Sequence, residues 1–231
     1  VSDLIDTTEM YLRTVYELQE EGIVPMRARI AERLCQSGPT VSQTVARMER
    51  DGLLVVSGDR HLEFTPGGLA AATRVMRKHR LAECLLIQIL GMPWEEAHAE
   101  ACRWEHVISD AVERRILGLL DHPTVSPYGN PIPGLGELLP DSEQSGTDGS
   151  AILPLTRAVT EEASRVVVRR IAEPIQDDPE SMSALRRVGA LPGATVIVQR
   201  TPAGVSIASG GEAAELSSSV AVHVLVQAPP A

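Results

Sequence analysis

Lysine is almost missing from this chain: Lys78 is the single lysine among 21 basic residues. The positive charge is therefore nearly all arginine, whose planar fork suits bidentate phosphate contacts, although a GC-rich genome would produce the same bias. Cysteine is scarce too. Cys35, Cys84 and Cys102 are an odd, widely spaced set, which builds no disulfide framework and points to a reducing, cytoplasmic home. No apolar run is long enough to cross a bilayer, and no basic stretch leads into an apolar one at the start, so neither membrane nor export is expected. HExxH, a nucleophile elbow and a Gly-rich phosphate loop are all absent, which argues against a metallohydrolase or another enzyme. Internal repeats are absent as well. The net charge of −10 looks wrong for a nucleic-acid binder.

That average hides a local bias. Residues 27–50 hold Arg27, Arg29, Arg33, Arg47 and Arg50 against only Glu32 and Glu49, and a small basic face on an acidic protein still neutralises phosphates. The same stretch has the pattern of a helix-turn-helix. A short helix from Arg27 to Leu34 buries Ile30, Ala31 and Leu34, and a Gly-containing turn, CQSGP, follows. A second helix opens at Pro39 or Thr40, with Val41, Val45 and Met48 inward and Thr40, Ser42, Gln43, Thr44, Arg47 and Arg50 on the free face. Strand, SGDR turn and strand (Leu53 to Val56, His61 to Phe64) then supply a wing. A packing module without nucleic acid would leave that polar, basic face unexplained.

Upstream, residues 3–21 form a helix with Leu4, Ile5, Tyr11, Leu12, Val15, Tyr16 and Leu18 at helical intervals, Asp6 or Thr7 as N-cap and Gly22 as stop. Downstream, residues 66–90 form a long helix, GMPW breaks it, and a second helix runs from Trp94 to about Leu120. The two carry an unusual set of donors. At about 100° per helical residue, Cys102 lies roughly 40° round from His98, with Glu105 and His106 on the same arc, while His79 and Glu83 stand one turn apart on the preceding helix. An i, i+4 His–Glu pair is by itself an ordinary surface ion pair, and a cysteine is more often a small buried hydrophobe. Nitrogen, sulfur and oxygen donors gathered on one arc are what a transition metal requires. Cys35 and Cys84 read as packing residues, and His61, His122 and His223 as solvated or structural.

Residues 121–150 hold five prolines and then a polar Gly/Ser tract, a linker stiff at first and flexible later. From 151 on, β-like runs at 166–171, 195–198, 205–208 and 220–226, with a small helix near 183–188, suggest a small β-barrel.

The stretches DTTEMYLRTVYELQEEG, RARIAERLCQSGPTVSQTVARMERDGL, VMRKHRLAE, EACRWEHVISD and SPYGNPIPG resemble the diphtheria toxin repressor and iron-dependent regulator family from residue 3 to about 137; beyond 150 the likeness is thin. The resemblance implies a metal-activated, DNA-binding repressor that is mainly α with small β parts. Its expected parts are a winged helix-turn-helix domain (1–73), a helical dimerisation and metal-binding domain ending in the proline segment (74–140), a flexible linker (141–150) and an SH3-like small β-barrel (151–231). It implies two metal sites per chain. One takes Met10, Cys102, Glu105 and His106; the other takes His79, Glu83 and His98, completed by Glu173 and Gln176 from the SH3-like part. It also implies an anion site at Arg80, Ser126 and Asn130. Thioether, thiol and imidazole donors disfavour Mg²⁺ and Ca²⁺, and manganese-responsive relatives are expected to carry carboxylates where this chain has Met10 and Cys102. Fe²⁺ is the expected ion, with Co²⁺, Ni²⁺, Zn²⁺ or Mn²⁺ as substitutes in vitro.

For a homodimer on a palindromic operator, Gln43 and Ser37 are the expected base contacts, and Pro39 is placed to meet a thymine methyl. Arg27, Arg29, Thr40, Ser42, Arg47, Arg50 and Arg60 fit phosphate contacts, which position without specifying. Because Met10 belongs to the head and its co-ligands to the dimerisation helices, metal binding is expected to clamp one to the other. The proline segment around 127–133 is either a stiff spacer or a strand for the SH3-like part to dock.

Overall fold

The computed structural model describes residues 6–139 and 152–227; the expected linker at 141–150 and the apolar pair Leu4 and Ile5 lie outside them. Helix α1 (Thr7–Glu20) starts where the Asp6 carboxylate accepts from the backbone N–H groups of Thr8 (2.8 Å) and Glu9, and it ends before Gly22 at φ +70°. It buries Tyr11, Leu12, Val15 and Leu18 against α2 (Arg27–Arg33) and α3 (Gly38–Arg50). The turn between α2 and α3 differs from expectation. Gly38 is already the first residue of α3, because the Ser37 hydroxyl caps the Thr40 N–H, and the left-handed residue is Cys35 at φ +50°. Cys35 is thereby exposed rather than packed.

The wing is an antiparallel pair, β1 (Leu54–Val56) and β2 (Leu62–Phe64), with Arg60 at its tip in the left-handed region (φ +68°). Thr65 then caps the long helix α4 (Pro66–Gln88). A Cβ on Gly68 would stand 1.8 Å from the Leu53 carbonyl oxygen, so only glycine lets α4 start this close to the wing.

The second metal-bearing helix is shorter than its donor pattern implies. Helix α5 spans Ala97–Trp104, Glu105 to Val107 form a turn, and Ser109 caps a separate α6 (Asp110–Leu119). The Ser-Asp pair after Ile108 offers the backbone a new N-terminus, and the chain takes it. Leu81, Cys84 and Leu86 of α4 pack with Ala97, Ala101, Ile116 and Leu117 into a core separate from that of the head.

The C-terminal part is a six-stranded antiparallel sheet ordered β3-β8-β4-β5-β6-β7. Its strands are β3 (Leu153–Pro154), β4 (Ser164–Ile171), β5 (Thr195–Thr201), β6 (Gly204–Ser209), β7 (Glu212–Leu216) and β8 (Val224–Gln227). Short helices α7 (Leu155–Ala158), α8 (Glu173–Gln176), α9 (Pro179–Arg187) and α10 (Ser218–Ala221) cover it. The expected strand at 220–226 begins four residues late because the Ser217 hydroxyl caps α10 first. Strand β7 was not anticipated: Glu and Ala favour helix, and pairing with β6 overrides them.

The proline segment lies on this sheet. Tyr128 sits in the sheet's core, its carbonyl accepts from the Ile171 N–H (2.8 Å), and its hydroxyl donates to the Trp94 carbonyl (2.7 Å). Asn130 donates to the Ile171 carbonyl at 2.8 Å. The segment therefore ties the helical core to β4 rather than merely spacing the two.

Candidate metal centre and nucleic-acid face

Helices α4 and α5 face each other across His79, Glu83 and His98, all essentially without solvent contact. Glu83 Oε1 lies 2.8 Å from His79 Nε2 and 3.0 Å from His98 Nδ1, and the two imidazoles approach to 3.1 Å. One turn along α5, Cys102 Sγ is 3.6 Å from His98 Nε2, and His79 Nδ1 meets Glu105 Oε2 at 2.7 Å. The donor atoms of His79, His98 and Cys102 all fall within 4.8 Å of one another. The donors expected to form two sets thus make one continuous buried network, with His79 and Cys102 each touching a member of the other set.

The remaining expected ligands are engaged elsewhere. Met10 is half-buried at the edge of the head's core. His106, in the turn after α5, reaches back to Glu9 Oε2 on α1 at 2.6 Å. On α8, Glu173 is buried against Arg80, and Gln176 donates to the Ile171 carbonyl at 2.7 Å. His98 Nε2 is also 3.6 Å from Asp177, next to Gln176. Arg80 is ringed by acceptors: Glu173 Oε1 at 2.6 Å, Glu20 Oε2 at 2.5 Å and the Pro131 carbonyl. Ser126 accepts from the Tyr128 N–H, so the three residues of the expected anion site lie together but are engaged within the protein.

Charges in the network are strongly perturbed. Burial works against the imidazolium forms, but Glu83 holds His79 well above the usual range, and the Cys102 thiolate with Glu83 holds His98 up at about 10. Burial opposes the Cys102 thiolate, yet Arg13 and His98 pull its pKa well below that of a free thiol. Glu105 is likewise brought down to about 2 by Arg13 and His79 against the cost of burial. Among the described residues burial also leaves Glu83 Oε2 and Gln176 Oε1 without a hydrogen-bond partner, as it does Glu17 Oε1 on α1. Unpaired buried acceptors cost free energy. Two imidazoles, a low-pKa thiol, carboxylates and two idle oxygens fit a borderline divalent ion such as iron, cobalt or zinc.

Three charged residues of α1 were not anticipated from the sequence. Arg13 donates to Cys102 Sγ and Glu105 Oε2, each at 3.0 Å; Glu9 holds His106; and Glu20 holds Arg80. The spacing Glu9, Arg13, Glu17 repeats every four residues beside Met10, a signal available in the sequence.

The second candidate surface is the outer side of α3. Ser37, Pro39, Thr40, Ser42, Gln43, Arg47 and Arg50 are all exposed, as are Arg29 and, on the wing, Arg60. Arg27 is half-buried. Thr44, expected on this face, is 9% exposed and belongs to the packed side. Arg29 pairs with Glu32 at 3.0 Å and Arg50 with Asp51 at 3.3 Å, both in solvent, where such pairs are weak and exchangeable.

A winged helix-turn-helix joined through its first helix to a buried cluster of metal-type donors defines a class, that of metal-responsive DNA-binding regulators. The comparisons bring this to a family. Residues 3–62 match the iron dependent repressor N-terminal DNA-binding domain, and 65–134 match the iron dependent repressor metal-binding and dimerisation domain. The iron-dependent repressor IdeR of Mycobacterium tuberculosis (strain H37Rv) is 58% identical over 204 residues, 88% of each chain. The diphtheria toxin repressor of Corynebacterium diphtheriae is 48% identical over 227 residues, covering 98% of this chain and 99% of that one. A solved manganese-dependent transcriptional repressor with bound manganese superposes with TM-score 0.78 at 27% identity, over 96% of this chain and all of the other. The chain belongs to the iron-dependent repressor family, a family of transcriptional repressors rather than enzymes. Among the described residues no helix is long and apolar enough to cross a membrane.

Proposed function

We propose that this protein is an iron(II)-activated repressor of iron-uptake and iron-homeostasis genes, acting in the cytoplasm as a homodimer on a palindromic operator. The observation that carries the reading is the contact between head and donor cluster: α1 touches Cys102 of α5 and Glu105 and His106 of the turn after it, through Arg13 and Glu9. Its domains are 1–73, 74–140 and 151–231, with 141–150 as linker. In this reading Met10, Cys102, Glu105 and His106 hold the activating ion, and His79, Glu83, His98, Glu173 and Gln176 hold a second. The idle oxygens of Glu83 and Gln176 support the second set. When bound, the ion would supply a multidentate cross-link between α1 and the end of α5, held by Met10, Cys102, Glu105 and His106.

The chain's own residues do the rest. Met10 and its neighbours fix the angle of the head, and hence the spacing of two recognition helices on two half-sites. Exposed apolar side chains of the helical region support a dimer surface, with Val112 and Leu119 seven residues apart on one face of α6 and Leu90 and Val107 at the ends of α4 and α5. Gln43 and Ser37 read bases, Pro39 packs on a thymine methyl, and Arg27, Arg29, Thr40, Ser42, Arg47, Arg50 and Arg60 grip phosphates. Arg80, Ser126 and Asn130 would hold an anion in place of the Glu173 carboxylate that now pairs with Arg80. Fe²⁺ is the physiological ion by availability, and Co²⁺, Ni²⁺, Zn²⁺ or Mn²⁺ substitute in vitro.

A gel-shift titration on a palindromic promoter fragment, run anaerobically with and without Fe²⁺, tests this. Tight binding only with the ion is expected. Equal binding without it would point to a constitutive DNA-binding protein.

A further inference from the structure

We infer that Arg13 is a built-in counter-cation for the Cys102–Glu105 donors, and that a metal ion must displace it to bind. The inference rests on the reading of Cys102 and Glu105 as ligands. Three observations carry it. One nitrogen of the guanidinium, Nη1, lies 3.0 Å from Cys102 Sγ and 3.0 Å from Glu105 Oε2, so a single cationic group occupies both donors. It does so at a place where its side chain is only 13% exposed, and where a full charge is costly unless paired. The same guanidinium has a second partner waiting. Its Nε is 2.9 Å from Glu17 Oε1, but the two are misaligned for a hydrogen bond, and Glu17 Oε1 has no hydrogen-bond partner of its own.

These contacts describe two positions for one cation. In the present position Arg13 neutralises the Glu105 carboxylate, donates to the Cys102 sulfur and so links α1 to the end of α5 without metal. In the other it swings onto Glu17, four residues along the same helix, and leaves the donors to a divalent ion. Charge stays balanced: the donors lose one guanidinium and gain a divalent cation, and the guanidinium keeps the Glu17 carboxylate it already faces at 2.9 Å. Burial pushes the Glu17 carboxyl up, to about 7, and Arg13 opposes that, so alignment of the pair would make Glu17 a firmer anion. Arg13 therefore sets the metal concentration at which the protein responds.

The test is a cobalt titration of the full-length protein against a competing chelator, read by the thiolate-to-cobalt absorption band. Arg13→Gln, shown folded by circular dichroism, is expected to bind Co²⁺ roughly ten-fold more tightly or better, since charge-assisted hydrogen bonds no longer compete. Arg13→Lys should stay near wild type, because the cation remains. Glu17→Gln should shift the other way by several-fold, because the displaced guanidinium loses its acceptor; this variant keeps the question open to disproof if Arg13→Gln does not fold. Unchanged or weaker binding in Arg13→Gln, or unchanged binding in Glu17→Gln, overturns the inference. Absence of the thiolate band in wild type would instead refute the ligand assignment itself.

Discussion

At the scale of single residues, three cysteines of one chain have three different chemistries. Cys84 is fully buried in the helical core, and burial pushes its thiol up to about 12, so it stays protonated and sheltered at neutral pH. Cys35 is exposed at the helix-turn-helix corner. Cys102 is partly accessible, and against the cost of burial Arg13 and His98 pull its pKa well below that of a free thiol. Alkylation of the native metal-free protein, read by peptide mass spectrometry, should label Cys35 and Cys102 and spare Cys84. Saturating Zn²⁺ should then protect Cys102 alone. Labelling of Cys102 that is indifferent to metal would remove it from the ligand set. Residue identity made Cys102 a candidate in the sequence, because histidine, glutamate and a second histidine share its helical arc. Arg13 was not legible in that way. Its four-residue spacing with Glu9 and Glu17 is visible but reads as an ordinary row of solvated ion pairs, and only the approach of α5 turns Arg13 into a buried partner.

At the scale of elements, the head was the most legible part, because its helices obey a 3.6-residue period and carry their own caps. Its outer face makes graded predictions. Arg47→Ala should weaken DNA binding evenly across operator variants and lower the salt slope by about one, as loss of one phosphate contact does. Gln43→Ala should cost about 1–3 kcal/mol and relax preference at one base pair, measured by binding to single-base operator variants. Elements whose ends depend on competition were less legible. Donor periodicity across Cys102, Glu105 and His106 suggested an unbroken helix, yet Ser109 starts a new one; valine-rich 220–226 suggested a strand, yet Ser217 starts α10. In both places a local hydroxyl cap outweighed a longer-range pattern. The proline segment depends on a close approach instead. At Gly129, φ is +83° and a Cβ would stand 2.0 Å from the Arg169 carbonyl oxygen. Gly129→Ala should therefore lower stability by more than about 2 kcal/mol, through strain and clash together. Denaturant melts followed by tryptophan fluorescence, to which Trp94 on Tyr128 (5.1 Å between ring centres) contributes alongside Trp104, report it.

At the scale of the whole molecule, three cores are joined by few but buried polar links. Arg80 ties α1 and α4 to α8, and the proline segment ties the helical core to β4. Removal of residues 151–231 takes away Glu173 and Gln176 and exposes His98. It should weaken metal binding at His79, Glu83 and His98, by calorimetric titration, while leaving the thiolate band of Cys102 in place. Unchanged calorimetry would exclude both residues as ligands. The central claim concerns the other connection, from α1 to α5, since it links metal to DNA. Its most direct test is the operator affinity of Met10→Ala and Cys102→Ala, measured by fluorescence anisotropy at saturating Fe²⁺ or Co²⁺. The account predicts that both variants fold, yet lose the metal-induced gain in affinity. Wild-type-like, metal-dependent affinity in both would contradict it.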